Sequence, residues 1–360
     1  MRQNLKIGIA CHSFRLDGGM GRYVLLLTEG LLALGYCPHI ISKKIDTKLP
    51  EYRLIKSTSI WTKLIPQKLV DFYFNYRLGR IVRKENFDLV ISCNRNTYSN
   101  IAICGGTHIG YLQKIGKVAS FFDKKQILLE KKYYENSDLI VAHSDGIRQE
   151  LINFYHIENK KIFLAYPPFS TANFTEPTEE QRRQLREKFG FPSDKIVFVL
   201  PSAGNHYVKG LDLIADFFRV TNLPIQLAVA GRPIPTEYRH VKYLGFQKNM
   251  KLVYQAADFT ILPSRYEAFG QVGPESVACG TPVVFSKAVG SSEVIDPQAK
   301  IEFNWQVDGD IDRAINEAVR KVQQHQARLS NGKQFIHCQT DVNTHVQSIL
   351  EAWERVIREN

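Results

Sequence analysis

The stretch PSRYEAFGQVGPESVACGTPVV, residues 263–284, sets two carboxylates, Glu267 and Glu275, with seven residues between them in a run of mostly small and apolar neighbours. A carboxylate in that company can complement a helix N-terminus, stand in solvent, or accept hydrogen bonds from vicinal hydroxyls, as acidic residues do for a ribose diol. The apolar run to Ser264 reads as a strand, 265–273 as a loop, and Pro274 as the first residue of a helix, the position proline favours. Free amides at such a helix start bind phosphates, and Gly270 and Gly273 let an anion approach the backbone. A nucleoside diphosphate sugar has parts for both acids: Glu275 would hold a ribose and Glu267 the hydroxyls of a second sugar beyond the phosphates. On the residues alone, a dipole-complementing Glu275 beside a solvated Glu267 explains the pair equally well.

The elements that must position these residues repeat along the chain. Apolar runs at 5–12, 38–42, 87–93, 101–106 and 137–144 read as strands, and GRYVLLLTEGLLALG (21–35) as a helix between the first two. After a Pro- and Thr-rich break at 165–183 the alternation restarts, with strands at 195–204, 225–231, 241–245, 258–264 and 281–286. Strand–helix alternation of this kind implies parallel sheets covered on both faces. The expected domains are 1–168 and 169–340, followed by a C-terminal helix at 341–360 that packs back on domain one.

At 360 residues the chain is long enough for two cores. Hydrophobic residues at 44% and charged residues at 23% describe a globular protein and exclude a disordered or fibrous one. No apolar run approaches the ~18 residues that span a bilayer, and only four uncharged residues separate Lys6 from Cys11, too few for a signal-peptide core. Six cysteines without a CxxC pair read as free thiols in a reducing compartment. The charge is lopsided: residues 1–168 carry 25 Lys and Arg against 14 Asp and Glu, while the remainder carries 22 of each. An excess of eleven positive charges in domain one suits an anionic partner.

Residues 243–295, from YLGFQKNMKLVYQAADFTILPS through the two glutamates to ACGTPVVFSKAVGSSEVI, resemble the donor-binding region of the retaining family 4 glycosyltransferases. GGMGRYVLLLTEGLLALG (18–35), GGTHIGYL (105–112), SDLIVAHS (137–144) and GNHYVKGLD (204–212) are similar to further segments of that family, and 105–111 to lipopolysaccharide core glucosyltransferases in particular. The resemblance implies an α/β GT-B fold, two Rossmann-like domains facing an interdomain cleft. It implies transfer of a hexose, with retention, from an NDP-sugar to a hydroxyl of a glycan or glycolipid, in bacterial surface polysaccharide or lipopolysaccharide synthesis. UDP-hexose is the favoured donor, ahead of GDP-mannose and ADP-heptose.

The residue roles follow from the same resemblance. Gly18, Gly19 and Lys209 would approach the diphosphate, His108 the reacting sugar, and Gly245 and Phe246 the base. Arg265, Glu267, Phe269, Gly270, Gln271, Val272 and Glu275 would complete the donor site, with His108, Lys209 and Glu267 the catalytic group. Many family members have an arginine shortly before the lysine; this chain has none between Gly190 and Lys209, so His206 or Arg265 would support Lys209 instead. Charge stabilisation by Lys209, the Gly18 and Gly19 amides and the helix at 274 requires no cofactor or metal.

The acceptor would meet domain one. Residues 56–84 interleave lysines and arginines with Trp61, Phe72, Tyr73, Phe74 and Tyr76, which suits a helix on an anionic membrane leaflet or, equally, an internal helix with a basic rim. The expected place is the cytoplasm, peripheral on the inner face of the membrane. No nucleic-acid motif is present. Two other readings remain at this stage, a GT-B sugar-nucleotide epimerase and a non-catalytic sugar-binding protein.

Overall fold

The computed structural model describes residues 5–16, 18–169, 173–234 and 241–359. Three residues of the expected interdomain break, 170–172, and Asn360 of the expected terminal helix lie outside them. The chain forms two compact units, Met1–Pro168 with Gln339–Asn360, and Phe169–Cys338.

Unit 1 runs β1 (Ile7–Phe14), α1 (Gly18–Ala33), β2 (His39–Ile45), β3 (Lys56–Ser59), α2 (Val70–Glu85), β4 (Leu89–Ser92), β5 (Ile101–Cys104), α3 (His108–Lys114), α4 (Phe121–Asn136), β6 (Leu139–Ala142), α5 (Asp145–Tyr155) and β7 (Ile162–Leu164). The seven strands lie in the order β3-β2-β1-β4-β5-β6-β7, every pair parallel. β4, β5 and β6 are buried at every residue, which is why they read as unbroken apolar runs.

Unit 2 runs α6 (Glu179–Phe189), β8 (Ile196–Ser202), α7 (Leu211–Val220), β9 (Ile225–Gly231), β10 (Val241–Gly245), α8 (Met250–Ala256), β11 (Phe259–Leu262), α9 (Val272–Ala278), β12 (Val283–Ser286), β13 (Lys300–Phe303) and α10 (Asp310–Gln323). Its parallel sheet has the order β10-β9-β8-β11-β12-β13. Asp258, at the foot of β11, accepts from the Val197 amide at 2.8 Å and from Arg182 and Arg186 of α6. It therefore ties the first helix of the unit to the sheet.

α11 (Val342–Glu359) returns the chain to unit 1 and supplies Val346, Ile349, Leu350 and Trp353 to its core. A Cβ at Gly30 of α1 would lie 2.5 Å from Val346 Cγ2, so glycine there is what allows the two helices to approach. The Tyr23 hydroxyl and His345 Nε2 are 3.0 Å apart across this contact, and Tyr23 also packs on His143 with ring centres at 4.5 Å.

Burial pushes the pKa of His345 down to about 4, and burial with repulsion from His345 pushes that of His143 down to about 3. The unfolded chain, with histidines titrating near 6.5, therefore binds more protons than the native one below that pH. Stability present above about pH 6.5 is lost as pH falls toward these depressed values. Melting curves between about pH 7.5 and pH 5 should show this loss, and a double variant His143→Gln, His345→Gln should flatten it. Equal slopes in the two proteins would contradict the assignment.

Residues 56–84 are not one helix. Lys56–Ser59 form the edge strand β3, paired to β2, and only Val70–Glu85 are helical, apart from one turn at Gln67–Leu69. α2 buries Val70, Phe74, Leu78 and Gly79, whereas Trp61, Leu64, Leu69 and Tyr76 are exposed. No helix among the described residues is long and apolar enough to cross a membrane.

Candidate functional site

In unit 2 the neighbouring strands β8 and β11 send loops from their carboxyl ends, where parallel sheets of this kind gather ligands. The two loops are joined. The Arg265 amide donates to the Val208 carbonyl at 2.9 Å, and Gly210, at φ 73°, sits so close that a Cβ would lie 1.9 Å from the Pro263 carbonyl oxygen. Any side chain after Lys209 would push the loops apart. Their union brings Lys209 Nζ onto Glu267 Oε2, a direct ion pair of two half-buried side chains.

The Glu267 backbone is itself fixed, its amide donating to Ala288 at 3.2 Å and its carbonyl accepting from Gly290 at 3.0 Å. Gly270, at φ 84°, would drive a Cβ to 2.9 Å from Glu267 Cγ, so the loop closes on the carboxylate only with glycine. Ser291 holds the turn through its hydroxyl to the Gly270 carbonyl at 2.8 Å. α9 begins two residues earlier than expected. Val272 is its first residue and Pro274 its third, still within the first turn where no amide is required. Glu275 follows, buried, with the Tyr254 hydroxyl 3.3 Å from its Oε2.

Phe269 is buried and Val272 packs into the unit 2 core, so their side chains support the loop. Gln271 is the N-cap residue of α9. Gly245, at φ 70° with open space where a Cβ would stand, leads to Phe246, which is 74% exposed and free to cover a flat ligand. Arg265 supports the Lys209 loop, as expected of it or of His206. Its guanidinium forks onto Asp212 with two bonds of 2.7 Å, donates to the Tyr207 carbonyl and stacks 3.9 Å over the Tyr207 ring. It braces the lysine loop. His206 bridges the Ser202 hydroxyl and the Pro233 carbonyl, and likewise shapes that loop.

In unit 1, Gly18 and Gly19 open α1, both exposed, with nothing near where their Cβ atoms would be. His108 is the first residue of α3, capped by Thr107. Its Nε2 lies 2.9 Å from Asp123 Oδ1 and its amide donates to Glu130 at 2.8 Å. Ser120 and then His108 hold the Asp123 carboxyl well below the usual range. Glu130 is a buried hub that also accepts from Arg95 Nε, Tyr134 and Tyr155. Ser144 caps α5 by accepting from the Ile147 amide at 3.2 Å. Asp123 could have been found from its capping box, Ser-x-x-Asp; Glu130 carries no local signal.

Comparison with known proteins decides the lineage. The model of Glycosyltransferase Family 4 matches residues 17–173 and that of Glycosyl transferases group 1 matches residues 181–334. A probable transglycosylase of Burkholderia thailandensis is 38% identical over 350 residues, covering 96% of each chain. The chain belongs to glycosyltransferase family 4. This glycosyltransferase has the GT-B fold: it matches the crystal structure of WaaG, a glycosyltransferase involved in lipopolysaccharide biosynthesis, with a TM-score of 0.82 at 14% identity, covering 96% of this chain and 98% of that one. It matches Anabaena HepE, solved with UDP-glucose, with a TM-score of 0.73 at 16% identity over 97% of this chain and 100% of that one.

Proposed function

We propose that the glycosyltransferase moves a hexose from a UDP-hexose, with retention, to a hydroxyl of an anionic glycan or glycolipid in bacterial surface polysaccharide or lipopolysaccharide synthesis. The observation that carries this reading is the Lys209–Glu267 pair and the buried Glu275 at the carboxyl ends of β8 and β11. A diphosphate would meet Lys209, its ribose Glu275 and the transferred sugar Glu267. Lys209 would take up the charge of the departing diphosphate, without a metal. His108, its imidazole oriented by Asp123, would position the sugar. The HepE complex with UDP-glucose and the likeness to WaaG support the choice of donor and of product.

A thermal-shift panel of UDP-, GDP- and ADP-sugars, with and without EDTA, tests the donor. A nucleotide at ~100 Kd should add about 2.7 kcal/mol, with UDP-hexose giving the largest shift and EDTA leaving it unchanged. A shift with GDP or ADP compounds alone would overturn the donor, and no shift at millimolar concentration would overturn the site.

The same reading puts the enzyme on the inner face of the cytoplasmic membrane. Supporting it are the exposed apolar side chains Leu64 and Leu69 of the 61–69 turn and Val118, Phe121 and Leu128 on or just before α4; Lys68 Nζ lies 4.9 Å from the Phe122 ring and joins the turn to α4. Lys63, Lys117, Lys124, Lys125 and Lys131 are exposed on the same two segments. Apolar side chains interleaved with lysines fit an anionic interface. Vesicles containing phosphatidylglycerol should sediment the protein, and the variant Val118→Ser, Phe121→Ser, Leu128→Ser should stay in solution. Binding that survives in this variant would sink the docking surface.

A further inference from the structure

Unit 1 holds a second polar cluster at the carboxyl half of β1 and β2. The parallel register sets Cys11 against Ser42 and Ser13 against Lys44, so His12 and Lys43 stand side by side on neighbouring strands. Asp71, in the first turn of α2, reaches both: His12 Nε2 is 3.2 Å and Lys43 Nζ 3.9 Å from its Oδ1. Gln126 of α4 donates to Asp71 Oδ2 at 3.2 Å, and the Phe74 ring meets the His12 ring edge to face at 5.6 Å. Asn94 follows β4, the strand beside β1.

The cluster is under-satisfied. Gln126 Oε1 and Asn94 Oδ1 are buried atoms without a hydrogen-bond partner among the described residues, and Asn94 is only 7% exposed. The Lys43 side chain is 12% exposed, and its ammonium has among the described residues only the long ion pair to Asp71. Buried polar groups in native proteins are satisfied nine times in ten or better. Two unpaired acceptors, one on α4 and one just after β4, beside a loosely held ammonium on β2 therefore point to a ligand. Burial opposes the charge on Asp71, yet His12 and Lys43 outweigh it and hold the carboxyl below its ordinary range, so Asp71 is an acceptor. His12, about one-third exposed, leaves the cluster a way in.

We propose that this cluster is the acceptor subsite, taking a sugar ring that carries an anionic substituent. Asp71 accepts from a ring hydroxyl, Asn94, Gln126 and His12 bind the neighbouring hydroxyls, and Lys43 takes the anionic oxygen. The proposal rests on the glycosyltransferase reading and names the residues that choose the acceptor. A cation with three donors and one distant partner selects an anion, whereas a neutral sugar would leave it unpaired.

The test is calorimetry on the full chain with glucose, glucose 6-phosphate, glucuronate and inorganic phosphate, beside the UDP thermal shift as a separate measure of the donor site. The expected result is at least about tenfold tighter binding of an anionic sugar than of glucose, the worth of one charged hydrogen bond. Whichever of glucose 6-phosphate and glucuronate binds tighter identifies the substituent. Lys43→Met should erase the preference and Asp71→Asn should weaken all three sugars alike, both leaving the UDP shift intact. If Asp71→Asn melts early, Gln126→Leu replaces it, with the same uniform loss expected. A preference that survives Lys43→Met, inorganic phosphate binding as tightly as the sugar phosphate, or no sugar binding at all would each overturn the subsite. Loss of the UDP shift in the unmodified protein would instead overturn the donor reading.

Discussion

Glu267→Ala is expected to lower turnover by roughly 10- to 150-fold, the worth of about 1.5 to 3 kcal/mol for a charged hydrogen bond, without weakening the bare nucleoside diphosphate. The structure sharpens the reason. Glu267 holds the Lys209 ammonium directly, so on the proposed reading removing the carboxylate would free the lysine for phosphate and deprive the sugar of its acceptor. Glu275→Ala should do the opposite and weaken the diphosphate itself, because Glu275 is assigned to the ribose. Calorimetry with UDP separates the two, and equal losses in both variants would contradict the assigned roles. The contact also predicts that Lys209→Ala and Glu267→Ala are not additive, since side chains in direct contact couple.

Glu130→Ala should cost about 3 to 5 kcal/mol of stability, the usual effect of stranding one member of a buried ion pair. The Glu130 side chain is 1% exposed and it alone gathers Arg95, the His108 amide, Tyr134 and Tyr155. Its removal leaves the Arg95 guanidinium without its carboxylate and loosens the start of α3, so His108 loses its fixed place as well. Urea melts measure the first effect. Unchanged stability would show that water reaches Arg95 freely and that the hub is not needed.

The parallel sheets were legible because strands buried on both faces must be apolar throughout, as in Leu139–Ala142 and Phe259–Leu262. β3 was not: Lys-Ser-Thr-Ser at a sheet edge carries no apolar alternation, and only its pairing to β2 makes it a strand. That is how residues 56–84 came to read as a single helix. The two glutamates were visible from spacing and small neighbours, whereas Lys209 was named only by the family resemblance of residues 204–212. The Asp212 partner of Arg265 was hidden because it lies fifty-three positions away. Residues that meet only in the fold, such as His12, Asp71 and Gln126, leave no mark on spacing.

The return of α11 to unit 1 sets an order of events on the ribosome. Val346, Ile349, Leu350 and Trp353 belong to the unit 1 core, yet they are made only after the whole of Phe169–Cys338. At about 5 to 20 residues per second, roughly 10 to 40 seconds separate synthesis of β7 from synthesis of α11. During that interval the α1 face that receives α11 is bare, and by its end unit 2 has every strand it needs. The later segment is therefore free to mature first, and the amino-terminal half completes its core only when its closing helix emerges.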